Sequence, residues 1–148
     1  MNFLTGRFQH TLDGKGRLVL PAKFRTECQN GGWVAPEKGR SLSMYTVGEF
    51  TRRAEEFRAL SHSDNESDRR RSLYWSSNST EVEVDRQGRF ALPASIRDIA
   101  RLDGEVLFIG HLDHLEIWNP ELFDAYASSG GPNHASLPNV KYSPPLLA

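Results

Sequence analysis

From Asp13 to Arg25 the chain reads DGKGRLVLPAKFR, and 72 residues later, from Asp85 to Arg97, it reads DRQGRFALPASIR. Seven of the thirteen positions agree, whereas unrelated segments of ordinary composition share about one. The chain is therefore read as two half-size units. Within 148 residues, neither unit is large enough to bury its apolar faces alone, so the two are expected to pack on one core.

Local signals give each unit the same order of elements. RFQHTL before Asp13 and TEVEV before Asp85 are predicted strands, the second with clear period-2 alternation. Gly16 and Gly88 precede an arginine and suit the positive φ of a tight turn. RLVLP and RFALP then form short return strands, ended by prolines that suit the first turn of a helix. Short helices follow in AKFRTEC, stopped by Asn30, Gly31 and Gly32, and in ASIRDIARL, with Ile96, Ile99 and Ala100 on one face. LSMY and LEIW are further short strands running into amphipathic helices, one holding Phe50, Ala54 and Phe57, the other starting at Pro120 with Leu122 and Phe123. SHSDNESD reads as a polar linker and RRRSLYW as a short helix leading into the second unit. The fold class is α+β. Closing the two hairpins on each other would give a small barrel without open strand edges. The units are set at residues 7–51 and 77–120, and the Gly-, Pro- and Ser-rich stretch 128–148 is expected to be a disordered tail.

Composition narrows the function. The net charge of −1 is not that of a uniformly basic nucleic-acid binder, but the average hides an asymmetry. Gly6–Arg25 holds five bases against one acid, a net of +4, whereas Asp98–Tyr126 holds one base against seven acids, a net of −6. Asn78–Arg97 balances three bases against three acids. No apolar run approaches the ~18 residues of a membrane span, and MNFLTGRFQH lacks the features of a signal peptide, so a cytoplasmic address is expected. The single cysteine, Cys28, excludes a disulfide framework and is read as a small buried apolar residue. His111 and His114 show no third metal ligand at a recognisable spacing, the GKGR turn lacks the spacing of a phosphate-cradling loop, and no catalytic constellation is evident. No enzyme, cofactor, metal or small-molecule ligand is expected. Arg69–Arg71 reads as the solvated face of a helix.

The pattern Asp-x-x-Gly-Arg-x-x-x-Pro-x-x-x-Arg, present twice, and the later HLEIWNPELFDAY resemble the MraZ family of bacterial transcriptional regulators, relatives of AbrB-type swapped-hairpin barrels. The resemblance covers roughly Asn2 to Tyr126. It implies an intertwined double swapped-hairpin barrel and a ring-shaped homo-oligomer, nucleoid-associated, that binds short direct repeats in double-stranded DNA. It also implies control of the division and cell-wall gene cluster, including the protein's own promoter, with the Asp-x-x-x-Arg motif as the place where DNA is met.

The residues themselves support part of this. A narrow turn can enter a major groove, where an arginine bonds guanine O6 and N7 in bidentate fashion. Arg17 is the expected reader, Asp13 orients it from within the turn, and Lys15, Arg7 and Lys23 supply phosphate contacts. Arg89 and Arg86 are the matching candidates of the second unit. Its balanced charge, with Gln87 in place of Lys15, favours a structural corner role for Arg89. Two other readings remain: a ring-shaped protein scaffold with no DNA role, and an AbrB-type antitoxin.

Overall fold

The computed structural model describes residues 3–38 and 40–129; the stretch 130–148, most of the expected tail, lies outside them. The elements run in chain order as β1 (Arg7–Thr11), β2 (Arg17–Val19), a 3-10 turn at Ala22–Phe24 leading into α1 (Arg25–Cys28), β3 (Gly32–Glu37), β4 (Ser41–Tyr45), α2 (Val47–Ser61) and α3 (Glu66–Ser77). The second half continues with β5 (Thr80–Val82), β6 (Arg89–Ala91), α4 (Ala94–Ile99), β7 (Glu105–Gly110), β8 (Leu115–Trp118) and α5 (Pro120–Ser128). This is the α+β class expected. No described helix is long and apolar enough to cross a membrane.

Six strands form one antiparallel sheet in the order β1-β7-β8-β4-β3-β5, and β2 and β6 form a separate antiparallel ribbon. The order is unchanged when the corresponding strands of the two halves are exchanged. β1 pairs with β7 of the other half, and β5 pairs with β3. The return strands do likewise, Leu18 standing opposite Phe90. Each turn is closed by its own backbone, Asp13 N–H to Arg17 O at 3.0 Å and Asp85 N–H to Arg89 O at 3.0 Å, but the strands beyond it pair elsewhere. Because β1 and β5 are the sheet's two ends, strand pairing among the described residues does not close a barrel.

One core serves both halves. Leu18, Leu20 and Phe24 from the first phrase meet Phe90, Leu92 and Ile96 from the second, with Val106, Phe108, Leu115 and Ile117 from the sheet. β4 and β8 lie at the sheet's centre and are buried at every position: Leu42, Met44, Leu115 and Ile117 face the main core, and Ser41, Ser43, Tyr45, Glu116 and Trp118 are covered on the other face. On the far side, Tyr45 and Trp75 pack with Phe50, Ala54 and Phe57 of α2. Four rings stack in sequence there: Trp33 on Phe50 (4.3 Å), Phe50 on Trp75 (5.0 Å) and Trp75 on Phe57 (4.3 Å). The polar stretch after α2 contributes only four residues of connection, because Asn65 caps α3 through Oδ1, which accepts from Ser67 N–H and Asp68 N–H. Arg69, Arg70 and Arg71 form the exposed side of that helix. Cys28 is buried, and burial pushes its thiol up to about 11, as suits a small apolar residue.

Each phrase's last arginine explains why the phrase is needed twice. Arg25 Nε donates to Leu20 O (3.0 Å) and Arg97 Nη1 to Leu92 O. Their guanidiniums lie over the glycine of the opposite turn: a Cβ at Gly16 would strike Arg97, and one at Gly88 would stand 2.5 Å from Arg25 Nε. The same glycines have φ of +77° and +81°. Gly16→Ala is therefore expected to cost ~1–2 kcal/mol for the left-handed backbone alone, lowering Tm by roughly 3–6 °C, with Arg97 displaced in addition. Gly14→Ala, where a Cβ would meet nothing within 4 Å, serves as the control in the same melting experiment. Equal melting temperatures for the two variants would contradict this account.

Candidate nucleic-acid interface

The first turn is organised by one carboxylate. Asp13 Oδ1 accepts from Lys15 N–H (2.8 Å) and Arg17 N–H (2.9 Å), and Oδ2 accepts from Arg17 Nε–H (2.8 Å). An aspartate folding back on backbone two residues ahead is the ordinary way this residue type makes a turn. The second turn repeats it: Asp85 Oδ1 accepts from Gln87 N–H and Arg89 N–H, both at 2.9 Å, and Oδ2 accepts from Arg89 Nε–H at 2.8 Å. In both turns the guanidinium is held by Nε alone. Among the described residues, the two terminal nitrogens of Arg17 have no protein partner, and Arg89 has only a long contact from Nη2 to Gln87 Oε1 (3.5 Å).

The fixed carboxylates titrate accordingly. The Arg17 N–H, then the Arg17 guanidinium and the Lys15 N–H, hold Asp13 down at about 2 from an ordinary 3.8, and Asp85 is lowered by the equivalent groups. A carboxyl depressed in the folded state stabilises the fold above its unfolded value and loses that contribution as pH falls. For Asp13 the window runs from about 4 down to about 2. An NMR titration is expected to place the Asp13 midpoint near 2, and to move it upward in Arg17→Ala. A midpoint near 3.8 in the wild-type protein would show that the turn is not ordered this way.

The ribbon brings the two turns onto one surface. Leu18 and Phe90 point into the core, so Arg17, Val19, Arg89 and Ala91 face out. Arg17 pairs with Ala91 and Val19 with Arg89, which makes the two arginines diagonal neighbours, ~7–8 Å apart at the backbone. Small side chains stand opposite each of them. The surface therefore offers two arginines, each anchored through Nε and with its terminal nitrogens without a short protein hydrogen bond, suited to planar pairs of acceptors.

The other candidates fall at different distances from this surface. Lys15 and Arg86 occupy the exposed tips of the two turns. Arg7 lies at the far end of β1, six residues or ~20 Å of extended chain from Asp13. There it meets α5, 3.9 Å from Asp124 and 5.2 Å from the Phe123 ring centroid. Lys23 is exposed on the 3-10 turn with its ammonium 6.0 Å from the Phe8 ring centroid. Counted at the turns alone, Asp13–Arg17 and Asp85–Arg89 each carry two cations and one carboxylate, so the charge contrast between the halves lies outside the turns.

Two groups escaped the sequence reading. Arg25 and Arg97 end each phrase as half-buried structural side chains, and the signal was the spacing of arginine to proline repeated in both copies. Glu116 supplies the third ligand-type group that His111 and His114 lack in local spacing.

These features define a class: a two-repeat antiparallel α+β protein whose halves interleave strand by strand and present a matched pair of Asp/Arg turns on one ribbon. The family described as "MraZ protein, putative antitoxin-like" matches residues 3–71 and 76–136, and the chain belongs to the MraZ family. Among its relatives, the protein named transcriptional regulator MraZ of Thermomicrobium roseum is 38% identical over 122 residues, 82% of this chain and 85% of the relative. The protein of that name in Caldanaerobacter subterraneus subsp. tengcongensis is 32% identical over 126 residues, 85% and 87% of the two chains. A third, from Desulfitobacterium hafniense, is 34% identical over 131 residues, 88% and 91%.

Proposed function

We propose that the outer face of the β2–β6 ribbon reads double-stranded DNA and that the protein is a sequence-specific transcriptional regulator, not an enzyme. The observation that carries this reading is the pair of arginines on the outer face of one ribbon, each anchored through Nε by its own aspartate. Arg17 and Arg89 would each bond a guanine edge in the major groove, with Asp13 and Asp85 as positioning residues. Lys15 and Arg86 at the tips supply phosphate contacts, and Lys23 and Arg7 lie further out along the backbone path. The names of the relatives agree with this class of activity.

The two units, 7–51 and 77–120, act as one intertwined pair. A chain of net charge −1 has no broad positive field, and a few cations per subunit give only weak binding. A ring homo-oligomer presenting one ribbon per subunit overcomes this on direct repeats spaced by about one helical turn, ~10 base pairs, since linked sites gain ~10²- to 10⁴-fold in avidity. Exposed apolar side chains at Phe3, Leu73, Tyr74 and Leu112 offer contact area for such self-association. The target in this reading is the division and cell-wall gene cluster, beginning with the protein's own promoter, and the address is the cytoplasmic nucleoid. A gel-shift titration on DNA from just upstream of the coding region, with one repeat or several, tests it alongside light scattering. Tight binding only to tandem repeats by an oligomer is expected; a monomer with equal affinity for both DNAs overturns the ring.

A further inference from the structure

On the opposite side of the sheet from the main core, the β7–β8 connection gathers a second set of polar groups. His111 N–H donates to His114 O (2.8 Å), and Leu112 takes a φ of +68°, so the four residues His111–His114 double back tightly. His111 Nδ1 then lies 2.7 Å from Glu116 Oε2, and His114 Nε2 lies 3.3 Å from the same oxygen. One ligand-type atom from each residue falls within a 4.8 Å group. His114 is buried and the Glu116 side chain is 12% exposed, whereas His111 is 59% exposed, which leaves the group open to solvent on one side.

The inner two groups are already aimed. His114 Nδ1 lies 2.8 Å from Asp113 Oδ1, and Asp113 is itself held by Arg52 (3.1 Å) and Arg53 (3.2 Å) of α2. Trp118 Nε1–H donates to Glu116 Oε1 at 2.8 Å, turning Oε2 toward the histidines. A carboxylate behind one imidazole nitrogen is the outer-shell arrangement that fixes the tautomer of a metal-binding histidine. With Nδ1 turned to Asp113, Nε2 of His114 faces a carboxylate oxygen. The gap between that nitrogen and that oxygen is bridged either by a proton or by a metal ion. Their 3.3 Å separation matches the edge of a tetrahedron with metal–ligand bonds of ~2.0–2.1 Å.

We infer that His111 Nδ1, His114 Nε2 and Glu116 Oε2 form a zinc site with its fourth position toward solvent beside His111. The exposed His111 side chain moves outward from Glu116 to admit the ion. Two imidazoles and one carboxylate suit zinc, whereas magnesium and calcium require all-oxygen shells. Through Asp113 the site also ties the β7–β8 connection to α2, so the ion braces the side of the sheet away from the Arg17–Arg89 ribbon.

Zinc chloride is titrated into the metal-free full-length chain against a chromogenic chelator, with magnesium as the competing ion. One zinc per chain is expected, undisturbed by magnesium. His111→Ala, at a position exposed enough to leave the fold unchanged, should bind zinc roughly 100-fold or more weakly, beyond the loss typical of an outer-shell partner. Glu116→Gln keeps an oxygen for Trp118 and should show the same loss, while His62→Ala should match wild type. No saturable binding at micromolar zinc, or binding that persists in His111→Ala, would overturn the site.

Discussion

Arg17→Ala is expected to abolish operator binding while leaving the protein folded. Removing a bidentate base contact costs ~1–3 kcal/mol, or roughly 5- to 150-fold per subunit, and the losses compound across an oligomer. Stability should change little: the terminal nitrogens of Arg17 carry no protein hydrogen bond among the described residues, and the Asp13–Arg17 pair is exposed on both sides, 39% and 36%, where ion pairs contribute little. Arg89→Ala is expected to lose affinity by a similar factor, because the second turn reproduces the first bond for bond. This differs from the expectation drawn from charge windows, which favoured a corner role for Arg89. Binding isotherms and melting curves of the two variants decide between them: unchanged affinity with a lowered Tm in Arg89→Ala would restore the corner role.

The largest effect on stability is expected at Phe90. Its ring is buried, stands opposite Leu18 on the ribbon and meets Phe108 of β7 edge-on at 6.3 Å, so it joins the ribbon to the main sheet. Truncating a buried phenylalanine to alanine costs ~3–5 kcal/mol, a large share of the ~5–15 kcal/mol that holds a domain together. Phe90→Ala should shift the urea midpoint steeply downward, and Ala91→Ser, on the outer face, should not. A Phe90→Ala protein as stable as wild type would mean that the ribbon is not packed through this ring.

The turns, the return strands and the short helices were legible in the sequence because each depends on neighbours: Asp13 caps its own turn, Gly16 supplies its own φ, and Pro93 starts its own helix. The partners of the strands were not. Leu18 finds Phe90 across 72 positions, and nothing local distinguishes that pairing from a hairpin closing on itself. Charge windows are blind to partners for a related reason. They counted Arg25, which is occupied with Leu20 O, and Arg7, which lies against α5, as if both belonged to the turn. The helix α3 was partly hidden, since only Ser72 and Trp75 of its twelve residues are buried and so little apolar periodicity reaches the sequence. Glu116 was obscured by its place in the apolar strand LEIW, where a carboxylate becomes informative only once His111 and Trp118 are seen beside it.

If the ribbon face meets DNA, binding to the upstream region must weaken as salt rises. A protein that neutralises phosphates releases condensed counterions, so log K falls linearly with log salt at a slope of about −0.9 for each phosphate neutralised. The wild-type oligomer is expected to show a steep slope, and in Lys15→Ala its magnitude should fall by about one for every phosphate that Lys15 neutralises in the wild type. Affinity that does not change between low and high salt, or no affinity for this DNA at all, would contradict the account and favour a protein scaffold.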